Sequence, residues 1–261
     1  MFALVLQTVR LQARSVVIWG LALGLYSAAM VASFTTFSGG AEQMNQLLGA
    51  YPKELLDAFG IKDLGDVENY LNSQVFLLAP LALAFFPILA AAGAIAGADE
   101  RGTIDVLLGT PIPRWQLVVG SFAAMALSLL VILTITGLLT WGTAVLMDVA
   151  LSLESTVEAV LNLWPVCLFF GGLAMLCSAL FHRRVLAVAI PAFLLCAMYL
   201  VDAVGRASED LEDLRPASVF YYYGSAIEES IDWAHFGGVT LVALAFVLLA
   251  VLAFQRRDIY T

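Results

Sequence analysis

Residues 98–115 read ADERGTIDVLLGTPIPRW, and they gather charge, glycine and proline between two long apolar runs. The run before spans 75–98 and the run after spans 117–147. Crossing a hydrocarbon core of roughly 30 Å takes ~20 apolar residues in a helix, so each run is long enough. Working outward, further runs of that kind lie at 16–37, 157–181, 185–204 and 234–254. The chain is therefore expected to be all-α, a polytopic membrane protein with six transmembrane helices forming one membrane domain over 1–261. A lipid core satisfies no backbone hydrogen bonds, which leaves helices as the structure such runs adopt. Composition agrees, with 62% hydrophobic and 13% charged residues. Soluble domains carry about 25% charged residues, too many for this chain to imitate.

Charge sets the expected orientation. Arg10, Arg14, Arg101, Arg114, Arg183, Arg184, Arg256 and Arg257 fall on the side of the N-terminus, and Lys53, Lys62, Arg206 and Arg215 on the other. Lys and Arg stay cytoplasmic, so both termini are placed inside, in a multi-pass protein of the plasma (inner) membrane. Of 21 acids only Asp99, Glu100, Asp105 and Asp258 fall inside. The acidic outer face is a solvated surface or a cation-attracting vestibule. The lipid bilayer is one expected partner; nucleic acid is not.

Several chemistries are struck out by residue type. A phosphate-binding loop needs Gly-Lys-Ser/Thr, and the only two lysines precede acids, as Lys53-Glu54 and Lys62-Asp63. His182 and His235 lie at opposite expected faces, which gives no zinc site. Ion-coupled transport places ionisable groups at midplane. The runs hold only Glu158 and Asp202, near their outer ends and expected to be exposed at the interface or, alternatively, to bind a cation. No enzyme, cofactor or metal site is expected in this chain.

The quoted stretch can build a compact element. Thr103 is placed to cap a helix whose first turn carries Asp105, matching the helix dipole. Ile104, Leu107 and Leu108 share one face. Gly109, Pro111 and Pro113 stop the helix after about two turns, and Arg114 opens the next span at headgroup level. Such an apolar face needs cover, from a groove on another protein or from the inner leaflet.

Other segments carry weaker expectations. Gln7, Arg10 and Arg14 line one stripe of residues 1–14, giving a short interfacial helix before the first span or, alternatively, simply the start of that span. A surface helix is expected from Pro52 through Leu55, Leu56 and Phe59 to Gly60, and Asp66 is placed to cap the second span with Glu68 in its first turn. The third run is overlong at about 30 residues and needs tilt. Pro80, Pro87 and Pro191 kink their helices, either for packing or to open a cavity. Thr134, Thr136 and Thr140 serve helix packing or line a substrate path. Tyr221, Tyr222 and Tyr223 form an outer aromatic belt or a gate.

Glu100-Arg101-Gly102-Thr103, Leu107-Leu108, Pro111 and Arg114 together resemble the E-x-G-T-x-x-x-L-L-x-x-P-x-x-R element of ABC type-2 permeases. Tyr51-Pro52, Leu55-Leu56, Phe59-Gly60 and Asn69-Tyr70-Leu71 are similar to that family's first outer loop. The aromatic segment Phe220 to Tyr223 and the ending Phe254-Gln255-Arg256-Arg257-Asp258 also look like it. A Lys that commonly follows the loop Arg is absent, with Gly120-Ser121 in its place. The resemblance implies the membrane subunit of an exporter, paired with a second permease copy or paralogue. It also implies a separate ATPase subunit that binds ATP and Mg. The segment Glu100–Arg114 is then a cytoplasmic coupling helix between spans 2 and 3. On that reading Glu100 and Arg101 make polar contacts with the ATPase, and Ile104, Leu107 and Leu108 fill its groove. Gly102 and Pro111 set the geometry, and Arg114 anchors to headgroups or the partner. A drug, peptide or lipid substrate suits the apolar spans. A non-transporting scaffold that recruits a cytoplasmic partner is the alternative. A secondary transporter fits less well, since neither internal repeats nor midplane charges are present.

Overall fold

A computed structural model describes residues 2–37, 52, 56, 65–102 and 113–256. Among the described residues there is no strand, and six helices are long and apolar enough to cross a bilayer. The spans are Leu4–Thr36, Val67–Ala94, Arg114–Leu146, Leu153–Leu180, Arg184–Ala207 and Trp233–Arg256. Each contains most of an expected run, and the second begins well before its expected start at 75.

Asp66 caps the second span as expected, its side chain accepting from the Asn69 N–H at 3.2 Å, with Glu68 in the first turn. The surface helix expected after Pro52 lies almost wholly outside the described residues. Within it, the Leu56 N–H donates to the Pro52 carbonyl at 3.3 Å, one helical turn.

The separate N-terminal interfacial helix does not form. One unbroken helix runs Phe2–Phe37. No proline occurs before Pro52 to break it, and its first turns have a partner. Leu4 presses onto Gly120 of the third span so closely that a Cβ there would clash with it. Ser128 donates to Gln12 Oε1 at 3.1 Å. Gly120, which stands where the family commonly has a Lys nearby, is thus used to seat the start of the chain.

Packing between spans rests on small residues and hydrogen bonds, since lipid tails are as apolar as leucine and give helices no hydrophobic reason to associate. The first and third spans meet along their length. A Cβ on Gly24 would sit 2.6 Å from Leu139 Cδ1 and 3.3 Å from the Thr136 Cα. One turn on, the Ser27 and Thr140 hydroxyls are hydrogen-bonded at 2.7 Å. The fourth and sixth spans share the other long interface, where a Cβ on Gly172 would lie 2.7 Å from the Ala243 carbonyl oxygen. The fourth span is the core of the bundle, 78% buried over its most apolar window against 22% for the fifth.

The second span is broken into pieces. A π-helical turn at Asn72–Phe76 leads to helices Ala79–Leu83, Phe85–Ala94 and Ala96–Glu100. Pro80 has no N–H to give the Phe76 carbonyl four residues earlier. The Tyr223 hydroxyl donates to that oxygen instead, at 3.0 Å. At the second break Ser178 of the fourth span enters the ladder: its hydroxyl accepts from the Ala96 N–H at 2.9 Å and lies 3.4 Å from the Ala92 carbonyl. A side chain inserted into the i→i−4 ladder is a recognised cause of a kink. Asymmetry at Ile95, with φ −115° and ψ −68°, marks the joint.

Candidate functional site

The site begins where the second span ends. Asp99 closes the last turn by accepting from the Gly102 N–H at 2.9 Å. Gly102 has φ +64°, a left-handed conformation that glycine adopts without a Cβ penalty and that ends helices. Residues 103–112 then lie outside the described residues. This covers Thr103, Ile104, Asp105, Leu107, Leu108 and Pro111, and with them the expected coupling helix. Its two ends, Glu100 to Gly102 and Pro113-Arg114, are described.

Each end is fastened to a different span. Glu100 Oε1 accepts from the backbone N–H of Arg184 at 2.7 Å, and Arg184 is the first residue of the fifth span. That helix has no side-chain cap of its own from Arg183. The first N–H groups of a helix have no intrahelical acceptor, and a carboxylate there also complements the positive end of the dipole. Arg114 opens the third span and reaches the end of the sixth. Its Nη1 lies 3.5 Å from the carbonyl oxygens of Phe254 and Gln255, and its guanidinium carbon 6.0 Å from the Phe254 ring centroid. A cation there faces the negative end of that helix. The acid sits at a helix start and the base at a helix end, so both signs are matched.

Arg101 follows as an exposed residue beside Arg184. A Cβ on Gly97 would lie 3.3 Å from Arg184 Cδ and 3.4 Å from Arg101 Nη1. Thus the end of the second span and the start of the third, fifth and sixth-span ends are joined around one short segment. The first turn of the first span and the last turn of the sixth lie here too, since Leu4 meets Gly120 and Phe254 meets Arg114.

The opposite end of the bundle is polar and buried. Asp202, 1% exposed, is held between Arg206 on its own helix and Arg215, whose Nε donates at 3.2 Å. This corrects the expectation of an exposed interfacial Asp202. The 3-10 helix Glu209–Ala217 folds back over the fifth span and brings Arg215 to the carboxylate, a pairing that distance along the chain conceals. Arg215 also lies over the Tyr221 ring at 5.2 Å. Asn162 donates to the Tyr223 carbonyl at 2.6 Å, and Asn72 to Glu228. Tyr223 is buried, which pushes its hydroxyl pKa up and keeps it a neutral donor. The three tyrosines therefore diverge: Tyr223 is core, Tyr221 stacks beneath Arg215, and Tyr222 packs edge-on against His235.

Among the threonines, Thr136 and Thr140 are buried against the first span with their hydroxyls bonded to carbonyls four residues back. Thr134 makes the same bond to Leu130 on an exposed face of the third span. The two groups do not converge on one surface within this chain. Among the described residues no cluster of three or more His, Cys, Asp or Glu could hold a metal. Cys167, Cys177 and Cys196 are free thiols.

Sequence reasoning missed the contacts that make the site. The Gly20-x-x-x-Gly24 spacing was a readable signal of close helix approach. Nothing in the sequence marks Ser178, or ties Glu100 to Arg184 across more than eighty residues.

Residues 9–259 match the family described as ABC-2 family transporter protein, and the chain belongs to that family. No individual curated protein matches it.

Proposed function

We propose that this chain is the membrane-spanning permease subunit of an ATP-driven exporter, driven by a separate ATPase subunit that docks on the segment between Glu100 and Arg114. The observation that supports it best is the double anchorage of that segment. Glu100 holds the N–H end of the fifth span and Arg114 reaches the carbonyl end of the sixth. A partner that displaces the segment would therefore act on four helices at once. The Ser178 joint at Ile95–Ala96 lets the last piece of the second span, Ala96–Glu100, turn with the segment while the longer piece stays packed.

On this reading the anchored end faces the cytoplasm of a plasma membrane, as the arginine distribution favours. ATP and Mg bind the partner, whose closure biases the bundle between two states, and a ligand can shift such an equilibrium only by its differential affinity for them. A second permease copy or paralogue would complete the pathway. The broad exposed apolar faces of the first and fifth spans, with Ile18 and Phe193 both well exposed, leave room for that contact and for lipid.

The test uses the chain reconstituted with its ATPase in liposomes. Glu100→Arg places a positive charge against the N-terminus of the fifth span and is expected to abolish substrate-stimulated transport while membrane insertion persists. Unchanged transport by this variant would remove the coupling assignment.

A further inference from the structure

A cavity of about 600 Å³ opens beside the coupling segment, between the first turns of the first and third spans and the last turns of the second. Its mouth and its floor differ in chemistry. The exposed Arg101, Arg184 and Gln7 stand at the mouth, and the less exposed Ala90, Gly93, Ala94 and Leu117 form the floor, with Gln12 bonded inward to Ser128. Leu11, 79% exposed, and Leu89, 40% exposed, stand on its apolar side.

Among the described residues that line the cavity, the charge is positive. Gly97 lets the two arginines lie side by side, as its close approach to both shows. Among the described lining residues there is no carboxylate. Glu100, next along the chain, is engaged on the Arg184 backbone, and no ion pair joins it to either guanidinium. Two neighbouring cations at the edge of a low-dielectric region attract an anion. Arginine's planar donor fork suits phosphate oxygens. The adjoining apolar floor, flanked by exposed leucines on membrane-spanning helices, suits an acyl chain and has nothing to offer a free ion.

We propose that this cavity binds an anionic phospholipid from the leaflet on the side of the chain termini, with its phosphate between Arg101 and Arg184 and one chain along Leu89 and Leu117. The lipid would bridge the end of the second span to the start of the fifth, parallel to the Glu100 contact. It would then hold the coupling segment in the arrangement described above. Lipid binding at this cavity can be measured without ATPase or transport.

The purified full chain in detergent is titrated with phosphatidylglycerol, phosphatidylcholine or inorganic phosphate, and bound species are counted by native mass spectrometry. Phosphatidylglycerol is expected to be retained and phosphatidylcholine not. A basic residue near a membrane surface favours anionic lipid by about 1 kcal/mol, so R101Q should weaken binding about fivefold and R101Q/R184Q about 25-fold. Gly93→Leu fills the floor without changing charge. A Cβ at Gly93 meets nothing within 4 Å, so a side chain there starts in open space, and the substitution should also reduce retention. Arg183→Gln removes a neighbouring exposed charge that does not line the cavity and should leave retention intact. Equal retention of both lipids, unchanged binding in the double variant or in Gly93→Leu, or equal loss with Arg183→Gln would each overturn the site. Displacement of the lipid by equimolar inorganic phosphate would show a free-anion site and overturn the lipid assignment.

Discussion

The two ends of the bundle start their helices in different ways. At the end away from the chain termini, each span that begins there is capped by the residue just before it. Asp66 caps the second, Ser152 accepts from the Ser155 N–H at 2.9 Å to cap the fourth, and Asp232 accepts from Ala234 and His235 to cap the sixth. At the other end neither the third nor the fifth span has a local side-chain cap. The fifth takes its acceptor from Glu100, and the third begins at Pro113-Arg114. A local cap moves with its helix and reports nothing. A borrowed cap ties the helix to whatever moves the lender. One end holds its helix starts locally, and on the proposed reading the other is where a partner would pull.

That contrast can be broken most severely at Asp202. Asp202→Asn removes the buried carboxylate that Arg206 and Arg215 share and leaves Arg215 with Glu212 at 3.9 Å; removing one member of a buried charge group costs up to about 3 kcal/mol when the rest is partly solvated. The expected outcome is a large fall in thermal unfolding midpoint in detergent; a midpoint equal to wild type would show that this end is not held by its ion pairs. Next in size is Gly24→Leu, which forces the first span off Leu139 and the Thr136 backbone. Overpacking of this kind costs roughly 1–3 kcal/mol, read by the same unfolding measurement. Wild-type stability there would mean that the two helices separate easily.

Arg114→Gln probes the other end and should do less. Its contacts are long and partly exposed, and exposed charge interactions of this kind give roughly 0.3–1 kcal/mol. The expected signature is a near-normal unfolding midpoint with a clear loss of coupled transport; a large stability loss without a transport defect would reverse the comparison. The smallest effect belongs to Asp232. The N–H of His235 first, and then that of Ala234, hold its carboxyl below the usual value of 3.8. A carboxyl with a lowered folded-state pKa stabilises above its unfolded value and loses that contribution as pH falls through the folded one. The unfolding midpoint of the wild type should therefore drop slightly more below pH ~4 than that of Asp232→Asn. Parallel pH profiles would mean that the cap is already frayed.

Much of the fold was legible because hydrophobic length is a local property. Six runs, the Asp66 cap and the overlong third span could all be read along the chain. The interfacial start was misjudged for a related reason. The stripe of Gln7, Arg10 and Arg14 describes a helix surface, and it does not say that Gly120 waits to receive Leu4 one turn from Gln7. The site was half legible. The pattern Glu100 to Arg114 picks out the residues proposed for coupling, of which 103–112 lie outside the described residues, and it is silent on what the side chains of Glu100 and Arg114 touch.

The sequence by itself determined that the chain lives in lipid and how many times it can cross. Transfer of apolar side chains out of water depends on composition within a window, so no distant residue is needed to settle it. Only the tertiary structure decided that Glu100 caps the fifth span, that Arg114 reaches the sixth, and that Asp202 lies buried between two arginines. In lipid, helices associate through close packing and hydrogen bonds between particular partners, and those partners are chosen by the packed bundle, not by their neighbours along the chain.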